Sequence, residues 1–172
     1  MKSLPFILIC LFLFGCVSPQ QPAQQPVQQP AQPTAADDHD NIAEAVFRYM
    51  CQPEPDEKDV SSNVNRDEVS FLSFSNATDP SPEFLRRFSD LQIPVKPISA
   101  GEWRGTLIYD KMSGEGGAAF YIEKISMLSR DEAEVEAVVH PGGGLSASGL
   151  IYHVSRKGGK WTVTSEKLKW IS

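Results

Sequence analysis

The last third of the chain contains the pattern that most restricts its fold, a strict alternation of apolar and charged residues. Residues 132–138 read EAEVEAV, so Ala133, Val135 and Ala137 fall on one side of an extended chain and three glutamates fall on the other. Two more extended runs, LSASGLIYHVS and KWTVTSEKLKWI, lie on either side of Gly158-Gly159, a pair typical of a tight hairpin turn. The sequence therefore predicts an antiparallel meander for this part of the chain.

A change of parity just before this region predicts a β-bulge. Phe120 and Ile122 fall on one side of an extended chain, whereas Ile125 falls on the other. One extra residue near Glu123 or Lys124 would return the apolar side chains to a single face, because it shifts the alternation by one.

The closing run shows the same change of parity. Trp161 and Val163 share one side. Leu168 and Trp170 share the other side, so a bulge or bend is expected within residues 165–167. We expect both tryptophans to contribute to the core.

Two segments with helical periodicity come earlier in the chain. In the first, Asn41 and Glu44 have the spacing of a capping box, apolar residues then recur every three or four positions, and Pro53 ends the pattern. The second, residues 79–91, can be capped at its start and tolerates proline in its first turn. Its expected buried side consists of Phe84, Leu85, Phe88 and Leu91.

The segments around the second helix give weaker signals. The run VSFLSF, residues 69–74, is apolar enough to be a short buried strand. Residues 93–117 are interrupted by prolines and glycines, and only TLIYDKM within them is expected to form a strand.

Helices followed by a meander predict an α+β domain, with the N-terminal helix or helices packed on one face of a curved antiparallel sheet. This order resembles the NTF2-like and cystatin-like folds, in which a curved sheet wraps around a helix. The segments DPSPEFLRRF and LSASGLIYHVSRKGGKWTVTSEKLKWIS also resemble a group of uncharacterised bacterial envelope proteins. That resemblance implies a fold and a compartment, and it supplies no catalytic residues.

The N-terminus has the layout of a secretory signal. A lysine precedes an apolar run, residues 4–14, which is too short to span a bilayer permanently and has the length of a signal-peptide core. The border LFGC places Leu13 three positions before Cys16, with Gly15 between them, and resembles the lipobox of bacterial lipoproteins. The resemblance implies removal of residues 1–15 and acylation of Cys16. Two or more acyl chains would hold the protein stably on a membrane.

A spacer is expected after the anchor. Residues 16–36 begin with the lipidated cysteine and continue with the four-residue repeat QQPA, QQPV, QQPA. Such a segment has no apolar surface to bury, so we expect disorder there and a single globular domain from 37 to 172. The expected location is the bacterial cell envelope. Val17, rather than aspartate, follows the cysteine, which favours the outer membrane if the source is diderm.

Composition removes several function classes. The net charge of −6 argues against general affinity for nucleic acid, which requires a basic field. Cysteine and histidine do not occur at zinc-ligand spacing, so no metal is expected, and no motif indicates a cofactor.

An enzyme would need a carboxylate or a histidine with a perturbed pKa in an apolar pocket. The candidates are Asp110, His140 and His153, with Tyr109 and Tyr152 as hydroxyl partners. Asp110, His153 and Tyr152 would form the catalytic set of an NTF2-like isomerase or hydrolase. Structural roles explain these residues as well, and His140, which precedes a proline at a turn, is expected to be exposed.

The closing hairpin is basic. Its cations are Arg156, Lys157, Lys160, Lys167 and Lys169. They could contact an anionic envelope polymer or lipid head groups, although a solvated strand face explains them equally. We therefore expect a non-catalytic binding or interaction module that is tethered to a membrane through Cys16, with an envelope polymer or a protein as partner. The pocket enzyme is the alternative.

Overall fold

The computed structural model describes residues 35–52, 69–142 and 146–172, with side chains from residue 38 onward. The expected signal peptide, the LFGC border and nearly all of the glutamine- and proline-rich spacer lie outside these ranges. Among the described residues, 54% are in strands and 21% in helices. No helix in the described part of the chain is long and apolar enough to span a bilayer.

Two α-helices and eight strands form the described part of the chain. The helices are α1 (Ala35–Met50) and α2 (Pro82–Arg86). The strands are β1 (Val69–Phe74), β2 (Val95–Pro97), β3 (Gly101–Arg104), β4 (Leu107–Asp110), β5 (Gly116–Ser129), β6 (Glu132–His140), β7 (Ser148–Lys157) and β8 (Lys160–Ile171).

The strands make one mixed sheet in the order β2-β1-β5-β6-β7-β8, and β4 joins the start of β5 and pairs with β3. β1 is parallel to both of its neighbours, whereas β5 to β8 form the antiparallel meander that the sequence predicts. The expectation of an antiparallel sheet is therefore wrong for the half of the sheet around β1. Parallel pairing leaves no turn signal, because the two strands are joined by a long crossover.

The predicted α+β class, with an NTF2-like or cystatin-like arrangement, is also wrong. The fold is mostly β, and its helices are a minor component beside an eight-stranded sheet. The physical reason lies in residues 93–117, where interruptions by proline and glycine hide two short strands, β2 and β3, beside β4, which confirms the strand expected in TLIYDKM. β5 and β8 are also long, at 14 and 12 residues, and they shift the balance further toward strand.

The two faces of the sheet bury different clusters. On the first face, α1 contributes Ile42, Val46 and Phe47 to a core that includes Leu72 and Phe120 of the sheet. On the second face, a smaller core consists of Val69, Phe71, Ile98, Ile108 and Ala119. Since neighbouring residues of a strand point to opposite faces, β1 is buried on both sides. On the second face, Ile98 and, from β4, Ile108 contribute to the cover of β1.

The helices differ from the prediction at their ends. α1 begins at Ala35 rather than after Asn41, whose side-chain oxygen instead accepts a hydrogen bond from Arg87 at 3.0 Å. α2 is shorter than predicted, although Ser81 caps it as expected by accepting a hydrogen bond from the backbone N–H of Phe84. Phe84 and Phe88 are buried, which confirms the predicted apolar side of this segment.

The predicted bulge in β5 is confirmed, because the register with β6 shifts between Ile122 and Lys124. In β8, the register skips Thr164 and Lys169, so two bulges lie just outside the predicted range. Trp161 is buried in the first-face core, as expected.

The expectation that Trp170 is a core residue is wrong. The second bulge turns Trp170 to the second face, where 39% of it is exposed. Its indole lies over Gly149, at which a Cβ atom would come within 2.2 Å of the indole nitrogen. Gly149 therefore provides the space in which this exposed ring lies against the sheet.

Candidate functional site

The three residues of the predicted catalytic set do not meet. Tyr152 is buried on the first face, where it pairs with Val135. His153 is the next residue along β7, so its side chain points to the opposite face. Asp110 ends β4, which pairs with the start of β5 and not with β7. This set therefore makes no shared pocket.

Asp110 has the contacts of a structural turn residue. Its carboxylate accepts hydrogen bonds from Lys96 Nζ at 2.8 Å and from the backbone N–H and hydroxyl of Ser113, each at 2.8 Å. The contact with Lys96, followed by those with Ser113, lowers the pKa of Asp110 to about 2. Such a group stays ionised at neutral pH and is unsuited to proton transfer there. Cys51 is unsuited to act as a nucleophile near neutral pH, since burial raises the pKa of its thiol to about 11.

The basic residues of the closing hairpin do not form one anion site. Arg156 is held by the carboxylates of Asp38 and Asp131, at 2.9 and 2.8 Å, and its guanidinium lies over the ring of Trp161. Lys169 pairs with Glu136 across the sheet. Lys157 and Lys160 are exposed beside the turn, and Lys167 is exposed on the second face.

A different site emerges on the second face. A cleft of about 650 Å³ opens beside the β3–β4 hairpin, next to the end of β6 and the start of β7. Its aromatic lining consists of Trp103, Tyr121 and His140. The ring centroids of Trp103 and His140 are 5.3 Å apart, and those of Tyr121 and His140 are 5.7 Å apart, both with edge-to-face geometry.

The rings in the cleft are neutral near pH 7. Burial lowers the pKa of His140 and raises the pKa of Tyr121. His140 is only partly exposed, so the expectation that it is an exposed turn residue is wrong. Its imidazole is covered on one side by Trp103, which is itself 41% exposed and forms the accessible wall of the cleft.

The remaining walls of the cleft carry hydroxyl groups. Thr106 lies in the turn between β3 and β4, while Ser146 precedes β7 and Ser172 follows β8. The backbone N–H of Ser172 donates to the carbonyl of Ala147 at 2.9 Å and joins these last two segments. Among the described lining residues, none has a charged side chain.

Close backbone packing positions the hairpin that carries Trp103. Gly105 adopts a φ of 68° at the β3–β4 turn, a conformation that glycine accommodates without strain. At Gly117, where β5 meets both β1 and β4, a Cβ atom would come within 2.2 Å of the carbonyl oxygen of Val69. These two glycines let β4 continue the sheet edge where β6 ends, which brings Trp103 onto His140.

Sequence reasoning missed this site for two reasons. His140 was expected to lie in an exposed turn and Tyr121 belongs to no motif, so the parity of His140 with the solvent-facing glutamates of β6 was the available signal. Trp103 lies in a segment without periodicity, and Thr106 begins the strand expected in TLIYDKM, whose pairing partner no local pattern indicates.

Comparison with family models, with curated proteins and with solved structures finds no match. Within the described residues, no group of three or more histidine, cysteine or carboxylate side chains is arranged to hold a metal ion.

Proposed function

We propose that the chain is a cell-envelope lipoprotein, held on a membrane by acyl chains on Cys16, whose folded part is a non-catalytic binding module. The observation that supports the binding role is the cleft of the second face, where Trp103, Tyr121 and His140 surround accessible space. Ligand sites are typically concave and aromatic, with a few polar groups that fix orientation.

The contacts inside the cleft favour binding over catalysis. An imidazole that acts as a general base is normally oriented by a hydrogen-bonded partner and has a pKa near the working pH. The ring of His140 instead packs against two other rings. Its role in the cleft is to support the exposed face of Trp103.

The tether limits where the partner can be. A spacer of glutamine and proline between Cys16 and the folded part would let the cleft reach targets near the membrane surface. The partner is therefore a component of the envelope, on the outer membrane side if the source is diderm. The negative net charge gives no reason to expect nucleic acid as that partner.

Co-sedimentation with the envelope tests this function. The full chain, purified in a mild detergent, is mixed with the detergent-insoluble fraction of the cell envelope and centrifuged. We expect the wild-type chain to sediment with this fraction, and Trp103→Ala to reduce the bound amount by about tenfold, because the accessible ring is lost.

Two control variants separate the cleft from other surfaces. Met112→Ala removes an apolar side chain that is 94% exposed in the β4–β5 turn, and it should not change sedimentation. The double variant Lys157→Ala/Lys160→Ala removes the exposed charges of the hairpin and should also sediment normally. Absence of wild-type binding, or loss of binding only in the lysine variant, would contradict the proposal.

A further inference from the structure

The lining of the cleft has a mixed character that narrows the class of ligand. Three aromatic rings, Trp103, Tyr121 and His140, line the cleft together with the hydroxyl residues Thr106, Ser146 and Ser172, of which Ser172 already donates to the carbonyl of Ala147 at 3.4 Å. The hydroxyls can each donate and accept hydrogen bonds. The ligand must therefore offer both an apolar surface and several hydrogen-bonding groups within a space of about 650 Å³.

Other ligand classes fit this lining less well. An anion such as a phosphate or a carboxylate is normally held by Arg, Lys or a helix N-terminus, and the described lining contains none of these. A hydrocarbon chain would leave the hydroxyls of Thr106 and Ser146 without partners after water is displaced, which is costly for buried polar groups.

We propose that the cleft binds an uncharged sugar ring of an envelope glycan, with one face of the ring on Trp103 and its hydroxyls toward Thr106 and Ser146. This inference rests on the binding role proposed above. The C–H groups on one face of a pyranose carry partial positive charge, and they pack well on the negative face of an indole. The hydroxyls at the edge of the same ring match the polar walls of the cleft.

A second exposed ring, that of Trp170, lies outside the cleft on the same face of the sheet and extends the proposal to a short chain of sugars. Tyr121, Val138, Gly149 and Trp170 pair in one row across β5, β6, β7 and β8, on the second face. Three strand spacings separate the ends of this row, or about 14 Å. A short oligosaccharide that starts on Trp103 can extend along this row to Trp170.

Titration with defined sugars tests the inference. The full chain is kept in a detergent without a sugar head group, and binding is followed by calorimetry with two uncharged trisaccharides, cellotriose and chitotriose. We expect at least one to bind with a Kd in the range of about 0.1 to 10 mM. Trp103→Ala should weaken binding about tenfold, and Trp103→Phe should recover most of the loss.

Further variants separate a ring-stacking site from a general effect on folding. Thr106→Val keeps the shape of the side chain but removes the hydroxyl, and it should weaken binding by about three- to tenfold. Trp170→Ala should weaken the trisaccharide but not the corresponding monosaccharide. Each variant is used only after its urea midpoint has been compared with that of the wild-type chain, and Trp103→Phe serves if Trp103→Ala is unstable.

The outcomes distinguish this inference from the proposed function. If neither trisaccharide binds up to about 20 mM, while the envelope fraction still binds in a Trp103-dependent way, the sugar assignment is wrong and the binding role stands. Sugar binding that is unaffected by Trp103→Ala also overturns the assignment. Binding of hexanoate or of a hexaproline peptide, in place of the sugars, would identify another class. If the envelope fraction does not bind either, both proposals fall.

Discussion

At the scale of single residues, Asp110 illustrates how a group that suggests catalysis in the sequence becomes structural in the fold. It is 1% exposed, and its carboxylate joins Lys96 of β2 to Ser113 of the β4–β5 turn. The ion pair therefore holds the parallel edge of the sheet against the hairpin that carries Trp103. All three hydrogen bonds reach Oδ2, whereas Oδ1 is buried without a hydrogen-bond partner, so the buried charge depends on these contacts.

The pKa of Asp110 predicts how stability depends on pH. Because this pKa is about 2 in the folded chain and about 3.9 in an unfolded one, deprotonation favours the folded state. The contribution is complete above about pH 5 and is lost as the pH falls through about 2. Urea titrations between pH 7 and pH 2 should show this loss.

The same urea titrations on two variants test whether the loss of stability at low pH arises from Asp110. Asp110→Asn should be less stable than the wild-type chain at pH 7 and should lose less stability between pH 5 and pH 2. Asp90→Asn is the matched control, since the exposed Asp90 carboxylate also pairs with a cation, Arg48, and should contribute little. An equally steep acid loss in Asp110→Asn would contradict this role.

At the scale of elements, β8 carries two tryptophans that lie on opposite faces of the sheet because of its bulges. Trp161 is 4% exposed, its indole N–H donates to Asp38 at 3.3 Å, and the guanidinium of Arg156 covers its ring. Trp170 is 39% exposed on the other face of the sheet. Parity predicted a single bulge or bend within residues 165–167, whereas the strand has two bulges, at Thr164 and Lys169.

This difference predicts unequal costs of truncation. Trp161→Ala should lower the free energy of unfolding by about 3 to 5 kcal/mol, as is usual for a buried tryptophan. Trp170→Ala should lower it by about 1 kcal/mol, because much of the ring already contacts solvent. Urea denaturation of both variants checks this. A Trp170→Ala variant that unfolds would show that Trp170 is a core residue and contradict its assignment to the exposed face.

Local signals account for the elements that the sequence predicted. The alternation of β6, the paired glycines of the last hairpin and the bulge in β5 each arise within a few neighbouring residues, and all three are present in the structure. The parallel pairing of β1 with β5 joins segments more than 40 residues apart. Nothing local encodes such a pair, so the sheet order and the class of the fold were beyond pattern reading.

The candidate site was hidden for the same reason. Its rings come from β3, β5 and the end of β6, and they meet only because β4 pairs with the first residues of β5. The sequence shows each of these residues, but it does not show which strands pair and so does not show that the residues meet. The mainly apolar run VSFLSF, residues 69–74, was the one available hint of a strand buried on both faces, because only two small serines interrupt it.

At the scale of the whole molecule, the proposal joins an anchor at Cys16 to a folded part that carries a cleft. Cys16→Ala removes the thiol that would be acylated, so this variant should move to the aqueous phase after detergent phase separation of whole-cell protein, while the wild-type chain stays in the detergent phase. Cys51→Ala is the matched control, because it lies in the folded part and should not change the partition. A Cys16→Ala variant that remains in the detergent phase would contradict the anchor.

The central claim is that the second-face cleft is where this protein binds its envelope partner, and the indole signals of its three tryptophans test it most directly. The ¹⁵N-labelled full chain in detergent micelles is titrated with soluble fragments of the envelope polymer, with each indole assigned by a single substitution. The indole N–H signal of Trp103 should move, together with the amide signals of Tyr121 and His140, while the buried Trp161 stays fixed. A fixed Trp103 signal, with movement confined to the amides of Lys157 and Lys160, would place binding on the basic hairpin and contradict the claim.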